Sequence, residues 1–325
     1  MSSTATLSPL TGLGVALATP FASGTDATGG QRKPEVDHPA FARLVEHVLA
    51  GGLGVDWLVV LGSTGEAATV TDVERHALVR HAVELAGGVP VVVGVGANDT
   101  EHACRLAVES VAAGADALLV VTPFYNKPQV SGLVEHFRAV AEAVPGTPVV
   151  AYNVPGRTGC NITPEAMRLI WAVDQVVGLK ESSGDLRQIA RLCQEAPEGR
   201  AVLAGDDDLA VASIAVGAQG LVSVVANVAP VETRRMVDAA LTDRTAAARE
   251  TFTLLAPLME AMFVETNPVP VKAAIASLGL ATAHVRLPLS PAEPATWTRV
   301  QQALAGLQLS RRSTRIAERL VGLAS

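Results

Sequence analysis

Short runs of valine, alanine and leucine recur along the chain between longer stretches whose apolar positions repeat at helical spacing. The runs fall at residues 14–18, 57–61, 89–93, 117–121, 148–152, 176–179, 201–204 and 220–224. They lack period-2 alternation, which indicates strands covered on both faces, as in a parallel sheet with helices outside it. The intervals read as helices at 73–85, 101–112, 133–143, 164–172 and 186–195. Thr71-Asp72 and Thr163-Pro164 mark helix starts, a capping residue followed in the second case by proline at the first helical position. About eight such strand-helix units predict an α/β fold, a (β/α)₈ TIM barrel, ahead of a doubly wound open sheet.

After Ser223 only helical periodicity remains, over 231–241, 246–262, 270–278 and 294–307. The expected organisation is therefore a catalytic barrel at 1–230 and a C-terminal α-helical region at 231–325. Ser23 to Asp37 is polar and glycine-rich and reads as an exposed loop after the first strand. In the tail from Ser310 to Ser325, Ile316, Leu320 and Leu323 stand at helical spacing.

Composition narrows the function classes. The chain has 325 residues, 49% hydrophobic and 18% charged, an ordinary globular profile. A formal net charge of −7, with Lys and Arg scattered, leaves no basic field for nucleic acid. Cys104, Cys160 and Cys193 lie far apart, so they read as reduced packing residues in a cytoplasmic protein, with neither a disulfide framework nor a zinc site. Met1 to Pro20 holds no Lys or Arg, which argues against a signal or transit peptide, and no apolar run is long enough to span a membrane.

Barrel chemistry is built at the C-terminal ends of strands, so the residues closing each apolar run carry the functional reading. Lys180 closes the run Val176-Val177-Gly178-Leu179. An amine partly enclosed by apolar walls has its charged form disfavoured and becomes a nucleophile near neutral pH, which suggests a Schiff base with a carbonyl substrate. Taken alone, a lysine after a strand is more often a snorkelling surface residue. Gly62-Ser63-Thr64-Gly65-Glu66 offers hydroxyls and free backbone N–H groups ahead of a helix, suited to a carboxylate or phosphate. The chain has only two tyrosines, Tyr125 and Tyr152, and both close apolar runs on the same expected rim, favouring proton transfer over plain core packing. Arg157, in a turn crowded by Pro155, Gly156 and Gly159, is a candidate bidentate carboxylate clamp.

Competing motifs fail. Gly94-Val95-Gly96 lacks the third glycine of a dinucleotide fingerprint, and no Gly-Lys-Ser/Thr phosphate loop or His-Glu-x-x-His array occurs. Asp206-Asp207-Asp208 is the best metal candidate, but a solvated acidic loop is the preferred reading, and no metal is expected.

Together these residues resemble the dihydrodipicolinate synthase, or 4-hydroxy-tetrahydrodipicolinate synthase, family of pyruvate-dependent class I aldolases. The resemblance covers about residues 12–289. It rests on Gly62 to Glu66, Thr122-Pro123-Phe124-Tyr125-Asn126, Tyr152 to Gly159, Gly178-Leu179-Lys180-Glu181, Gly205-Asp206-Asp207 and Phe263-Val264-Glu265-Thr266-Asn267-Pro268, all in family order. It implies a barrel with a C-terminal helical region, assembled as a homotetramer, a dimer of dimers. It also implies condensation of pyruvate with L-aspartate 4-semialdehyde toward diaminopimelate and lysine, with no cofactor beyond the Schiff base on Lys180. Tyr152 matches the proton-shuttling tyrosine of the family, with Ser63 and Tyr125 as relay partners, Tyr125 reaching across a dimer interface. Ser63 and Thr64 match the holders of the pyruvate carboxylate, Arg157 the residue that orients the semialdehyde, and Gly205 and Val222 positions lining the pocket.

Two departures have consequences. Ser63 stands where many members have threonine; it keeps the hydroxyl but loses the methyl that restricts its rotamer. His102 and Phe124 stand where lysine-inhibited members carry an acid and a tyrosine, and Arg75 nearby adds positive charge, so feedback by lysine is expected to be weak or absent. The alternatives are an aldolase or lyase acting on a keto-deoxy sugar acid or 4-hydroxy-2-oxoglutarate, pyridoxal phosphate catalysis at Lys180, and a non-catalytic sensor on the same scaffold. Arg157 and the Tyr152-to-Gly159 turn weigh against the first of these.

Overall fold

A computed structural model of the chain describes residues 10–23 and 33–322, with side chains through Gln308. Eight parallel strands close into a barrel in chain order: β1 (Gly12–Ala16), β2 (Trp57–Val60), β3 (Val91–Gly94), β4 (Ala117–Val121), β5 (Val149–Asn153), β6 (Val176–Glu181), β7 (Ala201–Ala204) and β8 (Gly220–Ser223). The helices are α1 (His38–Leu49), α2 (Asp72–Leu85), α3 (Thr100–Ala112), α4 (Val130–Ala143), α5 (Pro155–Thr158), α6 (Pro164–Ile170), α7 (Leu186–Glu195), α8 (Ala210–Ala215), α9 (Pro230–Leu241), α10 (Thr245–Ala261), α11 (Val269–Ser277) and α12 (Pro294–Gly322). The α/β barrel is therefore the observed architecture, and the open sheet is not. Helix α9 packs on β1 and β8, α10 on α9 and α12, and α11 on α12.

Every strand is apolar on both faces because each face meets a different cluster. Val15, Leu58, Val60, Val91, Val93, Leu118, Val120, Val149 and Ala151 point outward under the helices. Ala16, Trp57, Val59, Val92, Ala117, Leu119, Val150, Tyr152, Leu203 and Val222 fill the barrel interior. The alternation of a strand thus persists but is invisible to a polar/apolar reading, since neither face sees water. Interior packing also dictates where side chains must be missing: a Cβ on Gly14 would lie 2.6 Å from the Trp57 ring.

Local signals act as the chemistry requires. Thr71 caps α2 in a reciprocal box with Glu74: the Glu74 N–H donates to Thr71 Oγ1 at 3.3 Å and the Thr71 N–H donates to Glu74 Oε2 at 2.9 Å. Thr163 accepts from the Ala166 N–H at 3.3 Å, with Pro164 leading α6. The first strand is β1 at Gly12–Ala16 rather than 14–18, because Gly12 to Val15 pair with Gly220 to Ser223 to close the barrel. Sequence periodicity gave no explicit helix at His38–Leu49, which Asp37 caps by accepting from the Ala40 N–H. Of the polar segment 23–37, residues 24–32 lie outside the described residues. At its ends Phe21 bridges Val36 in antiparallel fashion. The side chains of Ile316, Leu320 and Leu323 also lie outside. No helix among the described residues is long and apolar enough to cross a membrane.

Candidate active site

Lys180 lies within β6 rather than after it, and only 5% of its surface is exposed. A bulge puts it in the barrel. Val176 and Leu179 both belong to the outer cluster although they lie three positions apart and would face opposite sides of a regular strand, because the β5–β6 register shifts between Val149 and Val150. Beyond the shift, Val150 pairs with Gly178 and Tyr152 with Lys180, so the lysine shares the interior face of its tyrosine neighbour. Its Nζ sits 4.2 Å from the centroid of the Tyr152 ring.

The space for the lysine stem is reserved by Gly205. A Cβ there would lie 3.1 Å from Lys180 Cε and 1.9 Å from Ser182 Oγ. Outward of the strand, Glu181 is buried and its carboxylate accepts from Asn153 Nδ2 at 2.8 Å, the Ser183 N–H at 2.9 Å and Gln188 Nε2 at 3.3 Å. Burial pushes the Glu181 pKa up, and the donors from Ser183, Asn153 and Gln188 oppose it. These bonds fix the ends of β5 and β6, and with them the spacing of Tyr152 and Lys180.

A cavity of about 670 Å³ opens at this mouth, and Ser63, Tyr152 and Arg157 line it. Lys180, Thr64, Gly205 and Val222 are buried rather than part of the lining, and the lysine adjoins the cavity through the Tyr152 ring. Tyr125 departs from the expectation of two phenols at one rim: on this chain it is 88% exposed, at φ +73°, and is not part of the cavity wall. Its backbone is held by a 3.3 Å bond from its N–H to the Thr158 carbonyl, which turns the side chain outward.

Two further site residues come from the C-terminal part of the chain. Asn267 Nδ2 donates to Thr64 Oγ1 at 2.9 Å, and the Asn267 carbonyl accepts from Arg157 at 3.1 Å. Glu66, two residues beyond Thr64, forms a buried ion pair with Lys272 and accepts from the Arg286 N–H at 3.0 Å. Lys272 also donates to the His284 carbonyl at 2.7 Å and lies 4.0 Å from the Phe21 ring centroid. Burial pushes the Lys272 pKa down to about 8, against the pull of Glu66. The sequence reading missed the roles of Asn267, Glu66 and Lys272. The available signal was Val269-Pro270-Val271-Lys272, a lone cation in an apolar run, the same pattern that marks Lys180.

The solvated-loop reading of the triple aspartate holds for Asp208, which is exposed, but not for Asp207. Asp207 is completely buried, accepting from the Ser223 hydroxyl and from the Val224 and Val225 N–H groups, the latter two at 2.8 and 3.3 Å. Burial raises its pKa to about 6. It braces the end of β8 beneath the mouth. Burial also raises the Asp206 pKa, with the Lys180 charge opposing. Among the described residues no group of three or more His, Cys, Asp and Glu gathers as a metal site would require.

Arg75, His102 and Phe124 line the same cavity. Arg75 is buried and donates to the Gly94 carbonyl at 2.7 Å. Burial lowers its pKa, opposed by the charges of Asp72 and Glu109.

Comparison with known proteins agrees with this geometry. A 4-hydroxy-tetrahydrodipicolinate synthase of Salinibacter ruber is 44% identical over 282 residues, 86% of this chain and 89% of the relative. One of Thermomicrobium roseum is 45% identical over 297 residues, 91% of this chain and 94% of the relative. The crystal structure of dihydrodipicolinate synthase from Thermotoga maritima superposes with a TM-score of 0.86 at 38% identity, covering 93% of this chain and 99% of that one. The profile of the Dihydrodipicolinate synthetase family matches residues 10–306, and the chain belongs to that family.

Proposed function

We propose that the barrel mouth condenses pyruvate with L-aspartate 4-semialdehyde through a Schiff base on Lys180. The activity is that of a lyase of diaminopimelate and lysine biosynthesis, a 4-hydroxy-tetrahydrodipicolinate synthase, as in the curated relatives matched along most of the chain. The single observation that carries the chemistry is the pair on adjacent strands: a buried amine 4.2 Å from the ring of the chain's only tyrosine in the cavity wall.

Lys180 attacks the pyruvate ketone and water leaves, giving an iminium that acidifies the neighbouring methyl group. Loss of that proton gives an enamine, which forms the new carbon–carbon bond with the aldehyde. Tyr152 shuttles the protons at the Schiff-base carbon, working by proximity. Ser63 and Thr64 hold the pyruvate carboxylate, and Arg157 orients the carboxylate of the semialdehyde. Gly205 and Val222 complete the pocket wall, the glycine by leaving room for the lysine stem.

The covalent handle is the protein's own lysine, and we assign no separate cofactor and no metal. Tyr125 serves as the relay partner of a neighbouring subunit: its exposure of 88% suits a residue that projects from one copy into another. We therefore read the working form as a homotetramer built from dimers, in the cytoplasm, with residues 1–230 as the catalytic barrel and 231–325 as the helical region bracing it.

Borohydride trapping in the presence of pyruvate, followed by peptide mass mapping, tests the assignment. The adduct is expected on Lys180 and lost in Lys180→Ala; a pyruvate-dependent adduct on any other residue overturns it. A coupled assay offering the semialdehyde beside keto-deoxy sugar acids tests the substrate, with turnover expected for the semialdehyde alone.

A further inference from the structure

The segment Phe263 to Pro268 leaves the barrel's own repeat, yet it sends one side chain into the substrate-holding machinery. Asn267 is 6% exposed and lines the cavity. Its Nδ2 donates to the buried Thr64 hydroxyl oxygen at 2.9 Å. Its backbone carbonyl accepts from the Arg157 guanidinium at 3.1 Å, while the side-chain Oδ1 is buried with no partner among the described residues. Residues separated by 203 and 110 positions in the chain thus meet on one asparagine.

The direction of the Thr64 bond matters. A hydroxyl oxygen that accepts an amide N–H keeps its own hydrogen available as a donor. Thr64 is buried between two lining residues, its chain neighbour Ser63 and its hydrogen-bond partner Asn267, and among the described residues no acceptor takes up its hydrogen, which stays available to donate to a carboxylate bound against them. The segment is not free to drift away from Thr64. Glu265 accepts from the Glu293 N–H at 3.0 Å and from the Thr296 hydroxyl, tying it to the start of α12. Five residues after Asn267, Lys272 pairs with Glu66 on the same turn that carries Thr64. The amide and the hydroxyl are therefore held in register by two anchors, one on either side.

We propose that Asn267 is a positioning residue for pyruvate: its side-chain amide fixes the Thr64 hydroxyl as a donor toward the pyruvate carboxylate, while its backbone carbonyl, which side-chain substitution leaves in place, holds Arg157 beside it. The role rests on the reading of Ser63 and Thr64 as the carboxylate holders. One asparagine thereby sets the distance between the two anion-binding groups of the site, and with it the spacing of the two substrates.

The test measures how borohydride-trapped adduct on Lys180 depends on pyruvate concentration, without the aldehyde. Asn267→Ala is expected to raise half-saturating pyruvate about tenfold, the effect of one buried hydrogen bond, with the trapped amount at saturation unchanged. Asn267→Asp, nearly the same shape but without the N–H donor and with a negative charge, is expected to raise it further. In a Thr64→Val background, Asn267→Ala is expected to add nothing, because the partner oxygen is already gone. Should the alanine variant fail to fold, the aspartate variant and Thr64→Val carry the same comparison. Unchanged pyruvate dependence in Asn267→Ala or Asn267→Asp, or a full additive effect in the Thr64→Val background, overturns the role of Asn267 alone. No adduct on Lys180 of the unaltered protein overturns the functional reading, and this role with it.

Discussion

At the scale of single residues, Gly205 shows how closely the site is fitted around Lys180, the proposed nucleophile. A methyl group there would meet Ser182 Oγ at 1.9 Å and Lys180 Cε at 3.1 Å, so either the strand or the lysine stem must move. Misplacing a reacting group by about 1 Å costs on the order of a hundredfold in rate. Gly205→Ala is expected to lower turnover by about that factor while the fold persists, as read by steady-state kinetics beside a thermal melt; full activity in this variant contradicts the packing. Tyr152 gives the complementary case. Its ring lies against the Lys180 amine at 4.2 Å, and Tyr152→Phe keeps that contact while removing the hydroxyl. Loss of a general acid–base group costs roughly 10²- to 10⁴-fold. The variant is expected to lose turnover in that range yet still form a trapped pyruvate adduct, whereas unchanged turnover removes Tyr152 from the proton path.

At the scale of elements, the barrel's second helix is joined to the C-terminal region through one carboxylate. Glu74 closes the capping box of α2 and also accepts from Arg286 Nη1 at 2.9 Å. The hydrogen-bonded Arg286 holds its carboxyl well below the usual range, at about 2 against an ordinary 4.5. A carboxyl whose pKa is depressed on folding contributes stability that is complete above its unfolded pKa and is lost as pH falls through the folded one. Glu74→Gln retains a side chain that can complete the box but cannot be ionised. The stability gap between the two proteins is expected to be constant above about pH 4.5 and to close progressively toward pH 2. Denaturant titrations across that range measure it; a gap independent of pH shows that the charge of Glu74 contributes nothing.

At the scale of the whole molecule, one chain places Lys180 against Tyr152 and joins Thr64 to Arg157 through Asn267, and leaves Tyr125 outside the cavity wall. If that tyrosine completes the relay of a second copy, turnover must follow association. Dilution through the dissociation range is expected to reduce turnover by roughly a hundredfold, the scale of one proton-transfer group, while pyruvate trapping on Lys180 persists. Turnover per subunit that is unaffected by dissociation contradicts the cross-subunit role. Arg75, His102 and Phe124 in the cavity wall carry the expectation about lysine feedback. Arg75 and His102 stand where an ammonium ligand would need a carboxylate, and Arg75 lacks an ion-pair partner among the described residues. Burying a second cation beside it is costly. L-Lysine is expected to leave the rate unchanged in steady-state assays; half-inhibition at sub-millimolar concentration rejects this.

The repeating apolar runs and the helical intervals between them were enough to predict a parallel α/β fold and to rank the barrel ahead of an open sheet, but strands covered on both faces occur in either, and it is the pairing of β1 with β8 that closes the barrel. The residues ending those runs include Tyr152, Ser63 and Arg157, which line one cavity, and Lys180, whose amine lies 4.2 Å from the Tyr152 ring. What the linear pattern could not express is anything decided by contact across long separations. Counting alternately along β6 from the outward-facing Val176 would turn Lys180 out of the barrel; the bulge against β5 turns it in. Asp207, which reads as one acid among three in a loop, is buried because Ser223 and two backbone N–H groups supply its hydrogen bonds. Asn267 joins Thr64 to Arg157 only because the C-terminal helices fold back over the barrel mouth. Local chemistry selected the fold and the reacting groups, and tertiary packing set their orientation, because side-chain direction and the cost of burying a polar atom depend on neighbours the sequence does not place side by side.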